Sequence, residues 1–163
     1  MNPTTRTYKT QVDLDVAVRG EMIGLLNQQL ADSLDLYSQT KQAHWNVKGM
    51  NFIALHKLFD DVAAAVEATV DTIAERVTAL GADAQGTVRM AAANSTLPEF
   101  PSDLNGGEAF VEAMVERAGA FANSNRHAAN QALEAGDEIT ADLFVGVTRE
   151  IDKLLYFLEA HIQ

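Results

Sequence analysis

Four long segments of the chain repeat apolar residues every three to four positions, which is the spacing of one face of an α-helix. These segments cover residues 18–47, 51–80, 108–135 and 139–161. Three of them are followed or ended by a glycine that can stop a helix, namely Gly49, Gly81 and Gly136. The residues expected to point inward from the third segment are Phe110, Met114, Phe121 and Leu133. A chain built from four such segments is predicted to be all-α.

The connection between the second and third long helices is too long for a tight turn. It covers residues 82–106 and contains Pro98 and Pro101, so it must cross the bundle or contain a short helix of its own, for which residues 86–93 are the candidate. Two helices, a long crossover and two more helices make a four-helix bundle with ferritin-like connectivity. We expect one ferritin-like domain over residues 1–163, with an N-terminal extension at 1–17 and the bundle at 18–163.

Composition limits the chemistry. The chain has no cysteine, so a bound metal must be held by histidine and carboxylate. No signal-peptide pattern begins the chain and no apolar run approaches the length of a membrane span, so a cytoplasmic location is expected and no contact with a membrane. The formal net charge of −11 opposes binding to DNA phosphates and attracts cations, although such a charge also simply favours solubility.

Two pairs of polar residues on the second helix have the spacing of metal ligands. His56 and Asp60 lie four residues apart, as do Asp71 and Glu75, so each pair projects side by side at the edge of the apolar stripe. His44 lies on the apolar stripe of the first helix. Each pair alone is more typical of a solvated helix face, and a single histidine is more typical of a hydrogen-bonded core residue. Together they suggest a metal site.

The positions of the two pairs predict a site shared between two subunits. His56 and Asp71 are fifteen residues apart, or about 22 Å along a helix, so one chain cannot bring both pairs to one ion. A two-fold axis near Ala65 is equidistant from His56 and Glu75, and also from Asp60 and Asp71. Two copies of the helix crossing there would build two identical sites, and the alanines around the axis, in residues 63–68, would allow close approach.

A metal centre inside one bundle is not expected. Larger ferritins use Glu-x-x-His repeats on two helices for that purpose. Here the position three residues before each histidine holds another residue type, namely Lys41, Ile53, Ser124 and Leu158.

The chain closely resembles the Dps family (DNA-binding protein from starved cells). The resemblance rests on the run Lys41-Gln42-Ala43-His44-Trp45-Asn46, on Asn51-Phe52, Leu55-His56 and Asp60, on residues 71–76, and on residues 140–144 and 152–154. It implies a hollow homo-oligomeric shell, a dodecamer, that stores iron. It also implies ferroxidase centres for two iron ions, each with His44, His56 and Asp60 from one subunit and Asp71 and Glu75 from its mate, and hydrogen peroxide as the usual oxidant. Zinc or manganese could substitute at such a site.

The resemblance suggests further roles for some residues. Asp137, Glu138 and Asp142 resemble the acidic lining of the family's iron-entry pores, although acidic residues also favour helix N-termini. Trp45 would lie near the centre and intercept radicals, or would simply pack at the interface.

Two other functions remain open. A nucleoid-associated, DNA-compacting protein would need a basic tail, but Arg6, Lys9 and Arg19 are opposed by Asp13 and Asp15, so weak or absent DNA binding is expected. A shell that binds metal without oxidising it would differ in lacking Fe(II) oxidation.

Overall fold

The computed structural model describes residues 6–163 and consists of five helices. They are α1 (Val16–Asn46), α2 (Phe52–Ala79), α3 (Val88–Asn94), α4 (Gly106–Glu134) and α5 (Glu138–Glu159). The prediction of an all-α, ferritin-like bundle is confirmed, and the expected short helix in the crossover is α3. Among the described residues, the only β-type pairing is an isolated bridge between Thr7 and Ala82. In that same part of the chain, no helix is long and apolar enough to cross a membrane.

The long helices form two hairpins that pack against each other. α1 packs mainly against α2, α4 packs mainly against α5, and contacts of α1 with α4 and of α2 with α5 join the hairpins. The apolar stripes meet at the centre, where Met22, Leu26, Phe59, Phe121 and Phe144 are fully buried. Removing this surface from water is the main stabilisation of the bundle.

One expected core residue lies outside the core. Phe110, Met114 and Phe121 are buried as predicted, but Leu133 is 59% exposed. The buried stripe of α4 passes instead through Ala128, Ala129 and Ala132 near the end of the helix, and it leaves Leu133 on the outer side.

The prediction that Gly49 stops the first helix is wrong, because α1 ends at Asn46 and its C-cap Val47 already has an extended backbone. Two other helices end in the same hydrogen-bonded motif. At the end of α2, Gly81 N–H donates to Thr78 O and Ala82 N–H donates to Val77 O. This pattern requires a left-handed residue at the glycine, and Gly81 has φ +89°. The end of α4 repeats the pattern around Gly136, so the predicted stops at Gly81 and Gly136 are confirmed.

The part of the predicted N-terminal extension that the structure describes lies against the end of α2. Tyr8 N–H donates to Gly81 O at 2.7 Å, and the Tyr8 hydroxyl donates to Asp83 at 3.0 Å. The Thr10 hydroxyl donates to Ala79 O at 3.3 Å. Residues 6–15 are therefore held against the body of the subunit.

Buried polar side chains fix the crossover. Asp32 of α1 is fully buried and accepts hydrogen bonds from the backbone N–H and the hydroxyl of Thr96. Arg117 of α4 is 2% exposed and donates to Gln39 at 2.7 Å and to the backbone oxygen of Glu99. Because buried polar groups are costly without partners, these contacts specify one path for the chain between α3 and α4.

Candidate metal centre

The two histidines of the predicted site lie together where α1 ends and α2 begins. Their rings stack with centroids 3.7 Å apart. His44 Nδ1 lies 2.7 Å from the backbone oxygen of His56, and His56 Nδ1 lies 2.9 Å from the backbone oxygen of His44. The carbonyl of His44 is in the last turn of α1, where no helical N–H is available to it, so the ring of His56 supplies the missing donor.

These two hydrogen bonds determine which ring nitrogen can bind a metal. A carbonyl oxygen only accepts, so each Nδ1 must carry its proton and donate. In the neutral ring, Nε2 then carries the free lone pair. A metal-binding histidine is commonly oriented in this way by a carbonyl partner. The backbone of each helix therefore prepares the histidine of the other as an Nε2 ligand.

Asp60 lies beside the histidine pair but is bound to a lysine. One of its carboxylate oxygens is 3.9 Å from His44 Nδ1 and 2.6 Å from Lys41 Nζ. The hydrogen bond and charge of Lys41 lower the pKa of Asp60 below its usual value. The carboxylate is thus ionised and solvent-accessible, and a cation that binds Asp60 must compete with Lys41.

Asp71 and Glu75 lie on the same helix but far from this group. Both are exposed, and they follow the histidine pair along α2 by the distance that the sequence predicts. Within the described residues of one chain, no three histidine or carboxylate side chains are grouped so as to hold a metal ion. A single subunit therefore stacks His44 on His56 and places Asp60 beside them without completing a three-ligand group, and it does not bring Asp71 or Glu75 to them.

The outer face of α2 carries one exposed stripe that includes the three carboxylates. At intervals of three to four residues it presents Asp60, Ala64, Ala68, Asp71 and Glu75. The opposite face is buried, with Phe59 and Val66 fully inaccessible. The small residues at the centre of the outer stripe are Ala64 and Ala68, whereas Ala63 is buried in its own bundle.

An apolar groove adjoins the site on the outer side of α1. It has a volume of about 390 Å³ and lies between α1 and α3, with Leu34, Tyr37, Trp45 and Val88 in its lining. Trp45 is 62% exposed, and Lys41 Nζ lies 6.0 Å from the centre of its ring. Trp45 therefore lies beside the lysine that is paired with Asp60, and both suggested roles stay predictions.

The three predicted pore residues occupy different positions at the start of α5. Asp137 is 2% exposed and forms an ion pair at 3.0 Å with Arg76 of α2. It also accepts hydrogen bonds from the hydroxyl and the backbone N–H of Thr140, so it caps α5. Burial opposes ionisation of Asp137, but the bonds from Thr140 and Arg76 outweigh it and lower its pKa. The helix-terminus interpretation thus describes Asp137, and Glu138 and Asp142 remain exposed.

Sequence reasoning missed Lys41 and Arg76 as partners of site carboxylates. Lys41 is three residues before His44, which puts it on the same side of α1 one turn earlier, and that spacing was a usable signal. Arg76 is sixty-one residues from Asp137, and no local pattern links the two.

Comparison with known proteins identifies the family. A model of the ferritin-like domain matches residues 23–163. The chain belongs to the ferritin-like family, within which it is a Dps protein. It is 43% identical over 158 residues to the DNA protection during starvation protein of Agrobacterium fabrum, covering 97% of this chain and 98% of that protein.

Solved structures agree with this assignment. DpsC from Streptomyces coelicolor superposes with a TM-score of 0.91 at 30% identity, covering 96% of this chain and 92% of that one. The Dps protein from Vibrio cholerae gives 0.87 at 26% identity, covering 97% and 99%, and is described as a member of a broad superfamily of ferritin-like diiron-carboxylate proteins. The resemblance inferred from the sequence is confirmed, and it supports a general role in iron storage or DNA protection.

Proposed function

We propose that the protein oxidises Fe(II) at metal sites shared between two subunits and stores the Fe(III) product inside a shell. The observation that carries this proposal is the division of the site within one chain. His44 and His56 are stacked with Asp60 beside them, while Asp71 and Glu75 stand exposed elsewhere on the same face of α2. A second copy of α2 in antiparallel contact would bring the missing carboxylates of the partner to the histidines.

The surface around the site suits such a contact. Ala64 and Ala68 lie midway along the exposed stripe, where two helices crossing at a two-fold axis would approach closely. The groove beside Trp45 adds exposed apolar surface next to the site, including Val88, which is 86% exposed. Burying this surface in a subunit contact would be favourable. Both features are on the side of the molecule that carries Lys41 and Asp60.

The ligand set suits iron as the substrate. Imidazole and carboxylate both bind Fe(II), and carboxylate oxygens favour Fe(III), so the site promotes loss of an electron. With hydrogen peroxide, two ferrous ions each give one electron, the O–O bond of one peroxide breaks, and two protons are taken up, so that the products are two ferric ions and two water molecules. Hydrolysis of the ferric product releases protons. We assign Asp71, Glu75 and the Nε2 atoms to binding, and Asp60 to a weaker position that Lys41 contests.

Storage requires a shell and a route inward. By analogy with the Dps relatives, we propose a homo-oligomer of twelve subunits. Glu138 and Asp142 are exposed at the start of α5 and would attract Fe(II) at an entry pore. The charge of Asp137 is neutralised by Arg76, so Asp137 holds the start of α5 in place and does not attract Fe(II).

The proposal is tested by following Fe(II) oxidation with peroxide, and separately with oxygen, in the assembled protein. The variant Asp71→Asn/Glu75→Gln should lose most of the rapid phase while remaining assembled in light scattering. Asp103→Asn/Glu112→Gln is the matched control, because it removes the same charge from exposed positions outside α2. Equal rates in all three proteins would show that Asp71 and Glu75 take no part in the oxidation and would remove the enzymatic claim for this site. Titration with Zn(II) and Mn(II) would show whether these ions compete for the site.

DNA binding is the second candidate function, because relatives are named for DNA protection. Two observations oppose direct contact. The formal net charge is −11 per chain, and residues 6–15 are held against the subunit by the bonds of Tyr8 and Thr10. The first five residues lie outside the described part of the chain. We expect no retardation of DNA in a gel at physiological salt, and a tight complex that is lost on removing residues 1–15 would reverse this conclusion.

A further inference from the structure

Each of the four long helices contributes one buried polar residue to the same level of the bundle. These residues, here called the polar layer, are Gln29, Thr69, Asn125 and Thr148, at 3%, 7%, 0% and 8% exposure. They lie among the aliphatic and aromatic side chains of the core, at a level distinct from other buried polar residues such as Gln39 and Arg117. A polar residue at one such position is common, but here every long helix places one at the same level of the core.

The contacts between helices show that the four residues share a level. Gln29 of α1 donates directly to Ser124 of α4, the neighbour of Asn125. α1 and α2 run antiparallel, and His44 of α1 faces His56 of α2. Gln29 lies fifteen residues before His44, and Thr69 lies thirteen residues after His56. The two residues therefore differ in level by two residues, or about 3 Å.

The level of α5 follows in the same way. Arg76 of α2 donates to Thr140 of α5. Thr69 lies seven residues before Arg76 and Thr148 eight after Thr140, a difference of one residue or about 1.5 Å.

The hydrogen bonds of the polar layer leave two buried acceptors without a donor. The hydroxyls of Thr69 and Thr148 donate to the backbone oxygens of Val66 and Phe144 in their own helices. The amide nitrogen of Gln29 donates to Ser124, and that of Asn125 donates to Phe121 O at 3.0 Å. Gln29 Oε1 and Asn125 Oδ1 are buried without a partner.

Rotating an amide does not remove the problem. Exchanging oxygen and nitrogen in Gln29 replaces an unpaired oxygen by an unpaired N–H group, and in Asn125 it would also turn the amide oxygen toward Phe121 O. A buried amide without a partner is costly enough that native proteins almost always supply one.

We propose that the polar layer binds internal water, which donates hydrogen bonds to Gln29 Oε1 and Asn125 Oδ1 and accepts from the remaining amide N–H groups. Water suits this site because it both donates and accepts and because the groups that need it lie on facing helices. A metal cation does not suit it. The residues of the layer supply only neutral oxygens, so the cost of burying the charge would not be offset. The layer is separate from the proposed iron site, which lies on the outer face of α2.

A crystal structure of the assembled protein at about 1.5 Å or better tests this directly. The expected result is an ordered water within about 2.6–3.2 Å of both amide side chains, at full occupancy in every subunit. Two outcomes would overturn the proposal: amides bonded directly to other protein groups with no intervening density, or a cation with shorter ligand distances and anomalous signal.

The shared water also predicts coupling between the two amides in solution. Gln29→Leu and Asn125→Leu should each lower the denaturation midpoint, because each leaves the water and the other amide incompletely bonded. The double variant should be destabilised by clearly less than the two shifts together. Thr40→Val is the matched control, since its buried hydroxyl bonds to Leu36 O of its own helix away from the layer, and it should combine additively with Asn125→Leu. Full additivity of the two leucine substitutions would contradict a common water site. If the double variant does not fold, the density in the wild-type crystal decides.

Discussion

Replacing Asp137 by asparagine removes one charge from a buried ion pair while keeping the shape of the side chain. The wild-type carboxylate is 2% exposed and receives both an ion pair from Arg76 and the capping bond from Thr140 N–H. In Asp137→Asn the amide oxygen can still accept from Thr140, so the cap of α5 remains. What is lost is the counter-charge of a guanidinium that is 14% exposed, together with the bonds that the second carboxylate oxygen accepts from Arg76 and from the Thr140 hydroxyl.

The expected cost follows from that burial. Breaking a buried ion pair by removing one partner destabilises proteins by about 3–5 kcal/mol, because the other charge is left uncompensated. The preserved cap and the residual exposure of Arg76 place this variant at the low end, about 3 kcal/mol. The ion pair between Arg126 and Asp152 is the matched control: its atoms are 2.8 Å apart, but the side chains are 50% and 46% exposed. Asp152→Asn should therefore cost less than about 1 kcal/mol.

Equilibrium unfolding in guanidinium, followed by circular dichroism at equal subunit concentration, measures both variants, and light scattering verifies their assembly. Acidification provides a second test. The folded-state pKa of Asp137 lies below its ordinary value of 3.8, so its ion pair stabilises the protein fully above that value and less as the pH falls through the folded pKa. The gap between wild type and Asp137→Asn should close on acidification. Equal stability of Asp137→Asn and Asp152→Asn at neutral pH would refute the reasoning.

Three further substitutions test other contacts. Lys41→Gln frees Asp60 and should tighten anaerobic Co(II) binding by less than about tenfold, because exposed ion pairs are weak; unchanged or weaker binding would argue against competition. Arg117→Met leaves Gln39 and the Glu99 carbonyl without their donor and should lower the free energy of unfolding by about 2–4 kcal/mol. Arg149→Met, at an exposed position, is the control and should change it little. Gly81→Ala puts a Cβ 2.6 Å from Tyr8 O at φ +89° and should cost at least about 1–2 kcal/mol; hydrogen exchange at Tyr8 N–H should accelerate, and unaltered exchange would mean the segment is held elsewhere.

The bundle was predictable because its information is local and periodic. The apolar spacing gave all four long helices to within two residues at each end, and the glycine stops were read correctly at Gly81 and Gly136. The prediction that Leu133 points inward was wrong, because near a helix end the spacing of apolar residues does not show which of two adjacent faces packs against the core. Small alanines at 128, 129 and 132 fill that part of the core instead.

The site was only partly predictable. The spacing of His56, Asp60, Asp71 and Glu75 is a property of one helix, so the separation of the two pairs along α2 could be read from the sequence. The reciprocal bonds between His44 and His56 depend on where α1 ends relative to the start of α2, which is a tertiary property. The pairing of Asp137 with Arg76 likewise depends on the packing of α5 against α2, and without it Asp137 could only be classed as an acidic residue at a helix start.

Co-assembly of two complementary variants tests the shared site most directly. His56→Gln removes a ligand from the histidine half, and Asp71→Asn/Glu75→Gln removes the carboxylate half. Each alone should have little rapid Fe(II) oxidation. In a random mixture of equal amounts, half of the two-fold contacts join unlike subunits, and each of these contains one intact site, so about a quarter of the wild-type rate should return. A mixture as inactive as its components, despite proven co-assembly by native mass spectrometry, would contradict a centre built from two chains.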